Sequence, residues 1–437
     1  MEHDEAIEYQ NLLASLKRCT KGTLWKESTA GYYLNRLKNT YILRQELLSG
    51  TYRISPYLWF TITEPKERDI YASFIKDRQY QHSLVDYVLY PAVVKTFIPG
   101  NCACQVGKGT MYCIDYFLSL LRAYSRENGN NGYVLQCDIK KFFPSTHHDV
   151  ASENVRQYVD AKTAKACEDV IRSFAEIEFA KLLMETGMSK RTAHRAGHRI
   201  SNQLIYGGSF RQAVQGLSRE RVQAVIERIK SGDFKGVGLG SQVIQTTQVT
   251  LLSGLDRYIT ETLGIKVYVR YMDDFVLVHE SKEYLSYCWA MIKRFLAGLK
   301  LALNPKTQLY RLEQGIILLH WRIIVTVTGK VVIHKHRVKI NKQRRKLRKQ
   351  RKLLDAGKMK ISDVETSFQC WQAGLIYQGC YMQVIRMRRF YRKLFDGRRA
   401  PEWNSKERAL KNAGEIIISS LPAHVRLECC VSDMIPQ

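Results

Sequence analysis

The hydrophobic pattern alternates between a helical and a strand-like period, and the switches lay out the elements. Residues 5–50 read as helices, with Leu43, Leu47 and Leu48 on one face and Gly50 ending the segment. Residues 56–110 are mixed, with a strand-like Tyr57–Thr63 run followed by Pro65. Tyr133–Ile139 predicts a strand, followed by aromatics, Pro144 and Ser145 as a helix cap. Residues 150–230 read as mainly helical, with a polar, basic stretch over Lys190–Arg199 that carries little chemical signal. Gly236, Gly238 and Gly240 form a loop ahead of a helix through Leu251, Leu252, Leu255 and Ile259. Val267–Val278 predicts two strands around a tight turn. Ser281 can cap a helix running to Leu301, and Asn304-Pro305-Lys306 breaks the pattern.

From Val332 the composition shifts. Lys335–Lys352 holds eleven Lys or Arg and no acid. Helices are predicted over Ser362–Tyr377 and Tyr381–Phe395. A boundary is placed near residue 330. The chain has 437 residues, enough for two or three subdomains. Hydrophobic content of 45% and charged content of 25% suit a folded chain. A formal charge of +27 calls for a polyanionic partner, since each Lys or Arg set on a phosphate releases condensed counterions. An anionic membrane surface is the competing partner. Yet no run of about 18 apolar residues is present, and Met1-Glu2-His3-Asp4-Glu5 is an acidic start, unlike a signal peptide. A cytoplasmic protein with no membrane partner is the expectation. The 11 cysteines include only two close pairs, Cys102/Cys104 and Cys429/Cys430, neither with zinc-knuckle spacing. They read as reduced thiols serving as small apolar residues. His147-His148 reads as a helix start, because no third metal ligand lies nearby.

Asp138 ends an apolar strand, and Asp273-Asp274 sit at the tip of an apolar hairpin. Two adjacent acids repel each other, and between hydrophobic strands they lower stability unless a cation joins them. A solvated turn is the bland alternative. Nucleotidyl transfer with two divalent ions about 3.5–4 Å apart needs such convergent carboxylates on rigid elements.

With these residues in view, Tyr271-Met272-Asp273-Asp274 resembles the metal-binding box of reverse transcriptases. Asp138-Ile139-Lys140-Lys141-Phe142-Phe143-Pro144-Ser145 resembles their first carboxylate motif. The resemblance spans residues 40–395 and is nearest to bacterial and phage enzymes of diversity-generating retroelements, group II introns, retrons and antiviral defence. It implies an α+β fold, the right-hand polymerase: a helical extension over 1–55, fingers and a palm with a small antiparallel sheet over 56–330, and a basic helical thumb with a C-terminal tail over 331–437. The implied activity is RNA-directed DNA synthesis with two Mg²⁺ ions, or Mn²⁺ in their place. Asp138 and Asp273 would bind both ions, assisted by Asp274 and the Ile139 carbonyl.

Further motifs follow the same resemblance. Phe143 matches the steric gate that excludes a ribose 2′-hydroxyl; its alternative is a core aromatic. Gly236–Gln245 is similar to the loop and helix that contact template and nucleotide, with Gln245 as its last residue. Gly238 and Ile244 depart from it, where Pro and Ser are common. Lys66 and Arg68, in Glu64–Ile70, match triphosphate-binding residues of the fingers, and Asp77-Arg78 follow at the family's spacing. Cys104–Thr110 resembles the next segment, near the template; its Gly-Lys-Gly-Thr lacks P-loop spacing. Lys306, in Leu303–Thr307, would protonate the departing pyrophosphate. Arg344, Arg345 and Arg348 on the basic segment, with Trp371 in a thumb-like Ser367–Trp371 signature, would grip nucleic acid. Partners implied are template RNA, the cDNA/primer duplex, dNTPs, and an accessory protein or structured non-coding RNA. A maturase-like RNA scaffold and template-independent DNA synthesis are the alternative readings. No RNase H or endonuclease cluster is expected after residue 400.

Overall fold

The apolar runs of the central strands are continuous because both faces of their sheet are covered. The computed structural model describes residues 2–63 and 67–401. It mixes many helices with three small antiparallel sheets. The central sheet has the order β4-β5-β3-β6, built from β3 (Tyr133–Asp138), β4 (Val267–Tyr271), β5 (Asp274–His279) and β6 (Gln308–Arg311). Val134, Val267, Val269, Val276 and Val278 face one core with the Thr110–Asn128 helix. Leu135, Cys137, Tyr268, Phe275 and Leu277 face another, against Leu255, Ile259 and the Lys282–Gly298 helix. Each such side chain contributes about 1.5–3 kcal/mol by burial, so register is firmly set.

A two-stranded ribbon, β1 (Leu58–Ile62) with β2 (Arg68–Ala72), stands apart from the central sheet. A third sheet, β7 (Ile316–Leu318), β8 (Trp321–Val325) and β9 (Val331–Lys335), extends the valine-faced core to Leu375 and Val384 of the C-terminal helices. Residue 330 falls in the turn joining β8 to β9. The basic segment is a helix, Arg337–Asp355, that buries Gln343, Leu347 and Gln350 toward Val364, Phe368 and Tyr391.

The N-terminal helices are bound to the Ile75–Leu84 helix. Gln79 donates to the Leu12 carbonyl (3.1 Å) and to Thr40 (2.8 Å), and Arg78 donates to the Cys19 carbonyl (3.1 Å). Asp77 accepts from the Tyr52 hydroxyl at 2.7 Å. The Asp77-Arg78 pair thus ties the extension to the rest of the fold.

Three local expectations are corrected. Ser145 ends the short Phe142–Ser145 helix and donates to the Lys140 carbonyl, while His147 holds the N-cap position of the His148–Arg156 helix. Leu43 is buried, but Leu48 is 52% exposed, because five residues turn it away from the packed face. Ser281 caps the next helix as predicted, through Tyr284, but that helix stops at Gly298. All described cysteines are free thiols; Cys429 and Cys430 lie outside the described residues, as does the tail beyond 401. Among the described residues no helix is long and apolar enough to cross a membrane.

Candidate active site

The β4–β5 hairpin is closed by the Tyr271–Asp274 pair, leaving Met272 and Asp273 as its two turn residues. Met272 adopts φ +59°, a conformation that side chains other than glycine rarely take. Its surroundings enforce it. Met272 is 5% exposed and packs with Ala103 and Val249, and the Cys104 thiol lies 3.7 Å from its sulfur. Arg270 Nη1 donates to the Met272 carbonyl at 2.9 Å. The Ile139 N–H donates to the Asp273 carbonyl at 3.2 Å, pinning the turn to the end of β3.

Register brings the three acids together. Asp138 pairs directly with Asp274 across β3 and β5, and Asp273 adjoins them in the turn. Burial, and then the Asp138 charge, raise the proton affinity of Asp273. Burial, followed by the charges of Asp138 and Asp273, pushes Asp274 up to about 7. The cluster therefore carries more negative charge than its neighbours balance, and its donors are hard oxygens, which suits a divalent cation such as Mg²⁺. Among the described residues no three His, Cys, Asp or Glu side chains form a ready metal cage. A site that shares its cation with substrate phosphates does not need one, since Mg²⁺ is commonly held by one or two carboxylates plus phosphate oxygens.

Other predicted residues fall at varied distances from this centre. Arg68 lies at the start of β2, on the exposed side, and its charge reaches Asp273, favouring the carboxylate. Phe143 is half-buried against the Ala103–Val249–Met272 cluster, with its ring edge-on to Phe142. It therefore borders the hairpin. The Gly236 loop docks on the same segment: Val237 donates to the Phe143 carbonyl (3.0 Å) and Gly236 to that of Thr146 (2.8 Å). Gly238 leaves no room for a side chain, since a Cβ there would lie 2.3 Å from the Phe174 ring. That accounts for its departure from Pro. Ile244 departs from Ser because it is fully buried in an apolar cluster. Gln245 is half-buried in the first turns of the Gln242–Leu251 helix, which Ser241 caps.

Lys306 is exposed, and its N–H donates to Asn304 Oδ1 at 3.1 Å. Lys66 lies outside the described residues. Arg345 and Arg348 are exposed on the basic helix; Arg344 is half-buried, and it and Arg348 lie 5.6 and 5.4 Å from the Phe390 ring centre. Trp371 is half-buried where the valine-faced core meets the C-terminal one, so packing occupies much of its ring.

Two features escaped the sequence reading. Asn304 Nδ2 donates to Asp138 Oδ2 at 2.6 Å, and its N–H to the Asp138 carbonyl at 2.7 Å, fixing that carboxylate's orientation. Beneath the hairpin, Arg270 and Asp256 form a fully buried ion pair, with Nε and Nη2 each 2.6 Å from a carboxylate oxygen. Tyr268 donates to the same Asp256 at 2.6 Å, and Arg270 Nη2 reaches the Val249 carbonyl at 3.2 Å. A signal existed for this pair. Arg270 interrupts an apolar strand, and a buried charge requires a partner. Asp256 stands among Leu252, Leu255 and Ile259, which pack in an apolar core.

By sequence, neither a family model nor a curated protein matches the chain significantly. Solved structures similar to it include three fungal telomerases. One is an apo telomerase from Candida tropicalis truncated from the C-terminal domain, at 11% identity and TM-score 0.36, over 68% of this chain and 60% of the other. A second is telomerase from Candida albicans in complex with a TWJ fragment of telomeric RNA, at 10% identity and TM-score 0.39, over 93% and 71%. The third is an apo telomerase from Candida tropicalis, at 13% identity and TM-score 0.35, over 75% and 65%. The chain spans about three fifths of the first of these. At such scores they are similar in outline alone, and the functional reading stands on the site's own geometry.

Proposed function

We propose that this chain is a template-directed nucleotidyltransferase and, more narrowly, an RNA-directed DNA polymerase of the right-hand type, serving a bacterial or phage retroelement or antiviral defence system. The observation that carries this reading is the convergence of Asp138, Asp273 and Asp274 at paired strand ends, where burial and the neighbouring carboxylate charges make Asp273 and Asp274 hold protons more tightly than usual.

Two Mg²⁺ ions, replaceable by Mn²⁺, would supply Lewis acidity to the attacking 3′-hydroxyl and the departing pyrophosphate. Asp138 and Asp273 are the residues that would hold both, with Asp274 and the Ile139 carbonyl completing the set. Arg68 and Lys66 bind the dNTP triphosphate through charge-assisted hydrogen bonds. Phe143 closes the space at the sugar 2′ position, Gln245 lies against the template–nucleotide pair, and Lys306 donates a proton to the leaving group. The basic helix, through Arg344, Arg345 and Arg348 and with Trp371 behind it, grips the RNA template and cDNA/primer duplex. An accessory protein or structured non-coding RNA would complete the assembly, in the cytoplasm.

Primer extension on an RNA template tests this reading. The wild-type chain should extend with dNTPs and Mg²⁺, stop when the metal is chelated, and stop when template is omitted. Asp273→Asn with Asp274→Asn should lower incorporation at least about a thousandfold, as expected when preorganised charge is lost from a reacting centre. Extension that survives this double substitution would rule the proposal out, and synthesis without template would favour the terminal-transferase alternative. In the same assay, Phe143→Ala should admit ribonucleotides.

Asn304→Ala offers a graded counterpart. It removes the amide that orients Asp138 and leaves all three acids in place. Incorporation should fall about 10–100-fold, the usual effect of losing a group that orients a metal ligand. An unchanged rate would show that Asp138 needs no such support.

A further inference from the structure

We propose that the outer face of the Lys190–Tyr206 helix binds the phosphodiester backbone of single-stranded RNA that has not entered the catalytic cleft. From Thr186 to Arg219 the chain has six Lys or Arg and no acid. The helix buries Ala193, Ala196, Gly197, Ile200 and Ser201 against its neighbour, Ala175–Glu185. A Cβ at Gly197 would lie 2.4 Å from the Glu176 carbonyl, so the two helices meet backbone to backbone and the rotation of the pair is fixed. That rotation turns Arg191 and Arg195 outward, where both are exposed.

The spacing is i, i+4, about 6 Å along the axis. Like charges at that spacing weaken a helix in isolation. The acid buried beneath this helix does not relieve them. Glu176 is buried between the helices and occupied by His194 Nε2 (2.6 Å), His198 Nδ1 (2.8 Å) and the Tyr57 N–H (3.0 Å). Arg199 is engaged by the carbonyls of Ala213 and Gln215, and Lys190 sits 4.1 Å from the Trp59 ring centre. Arg191 and Arg195 form no ion pair with any described carboxylate. A rigid row of uncompensated guanidinium groups suits a repeating anion.

The β1–β2 ribbon sets this face on the opposite side from Arg68. Trp59 and Tyr71 are register partners on one side of the β1–β2 ribbon, the side that meets Lys190 and His194. Strand alternation puts Arg68 on the other side, from which its charge reaches Asp273. RNA on the helix would therefore lie on the far side of the ribbon from Arg68, as the unread 5′ part of the template.

The test is binding of the full chain carrying Arg191→Gln and Arg195→Gln, read by fluorescence anisotropy without nucleotide or divalent metal. Probes are a blunt primer–template, the same duplex with a long 5′ template extension, and an unstructured oligo-uridine. Wild type should bind the extended duplex more tightly than the blunt one. The variant should lose that gain, with Kd for the extended duplex rising on the order of tenfold and the slope of log K against log salt shrinking by about 1.4. Blunt-duplex binding should stay the same, and Arg191→Lys with Arg195→Lys should restore the gain. Loss of the gain from the extension in cis is the result expected; loss confined to oligo-uridine would overturn the assignment to the template. Equal loss on the blunt duplex, no loss on any probe, or equally tight and equally sensitive binding of polyglutamate would each overturn the proposal. Because no turnover is read, failure here leaves the polymerase reading intact, and a failed extension assay leaves this binding intact.

Discussion

Asp274→Asn should abolish nucleotide incorporation while making the metal-free protein harder to unfold. Both effects arise from one arrangement. In an unfolded chain an aspartate loses its proton near about 3.9. In the fold, burial and the neighbouring charges of Asp138 and Asp273 hold the Asp274 proton up to about 7. Between those values the folded state binds more protons than the unfolded one, so stability falls as pH rises through that window and levels off above it. At pH 8 the buried, charged cluster should lower stability on the order of 4 kcal/mol. Asn removes one charge from it.

Thermal melts from pH 5 to pH 9 in chelator check this. The wild-type melting temperature should decline toward pH 7, and that of the variant should decline less and end higher. Adding Mg²⁺ should reverse the wild-type trend, because ion binding displaces protons and stabilises by mass action, about 2.7 kcal/mol at a hundredfold excess over Kd. The variant should gain far less. A variant that melts lower than wild type at pH 8, with the same pH slope, would show that the acids do not repel as described.

Much of this site was legible from local pattern. Tyr271–Asp274 lies between apolar runs that can only be strands, and a strand ending at Asp138 is the obvious element to carry a third acid. Capping chemistry located the Lys282–Gly298 helix through Ser281. What escaped was non-local. The β7–β9 sheet depends on packing with helices far away in sequence, and the basic run at Lys335 drew attention to composition over alternation. Asn304 read as a helix breaker because asparagine favours turns. Only the register of residues 301–304 beside the end of β3 shows that its amide reaches Asp138. Gly238 looked like a departure from a motif until the Phe174 ring showed why no side chain fits.

The buried Arg270–Asp256 pair yields the second large effect, and a dissection of its two roles. Breaking it from either side, by Asp256→Ala or Arg270→Gln, leaves one charge unpartnered in an apolar core and should cost about 3–5 kcal/mol. Replacing both together, Arg270→Met with Asp256→Leu, removes that charge and should regain much of the stability, since well-packed apolar substitutes for buried ion pairs are often neutral or better. The loss of a partner for the Tyr268 hydroxyl, which donates to Asp256, should keep the recovery incomplete. Activity should not follow stability back. The guanidinium also donates to the Met272 and Val249 carbonyls, and so supports the strained turn from beneath. Methionine cannot make those bonds. The double variant should therefore melt near wild type yet incorporate nucleotide about 10–100-fold more slowly, with a raised Mg²⁺ requirement, because the turn that aims Asp273 has lost its support. Chemical denaturation and a Mg²⁺ titration of primer extension separate the two readouts. Recovery of both in the double variant would mean that the pair serves packing alone and that Met272 holds its conformation without help.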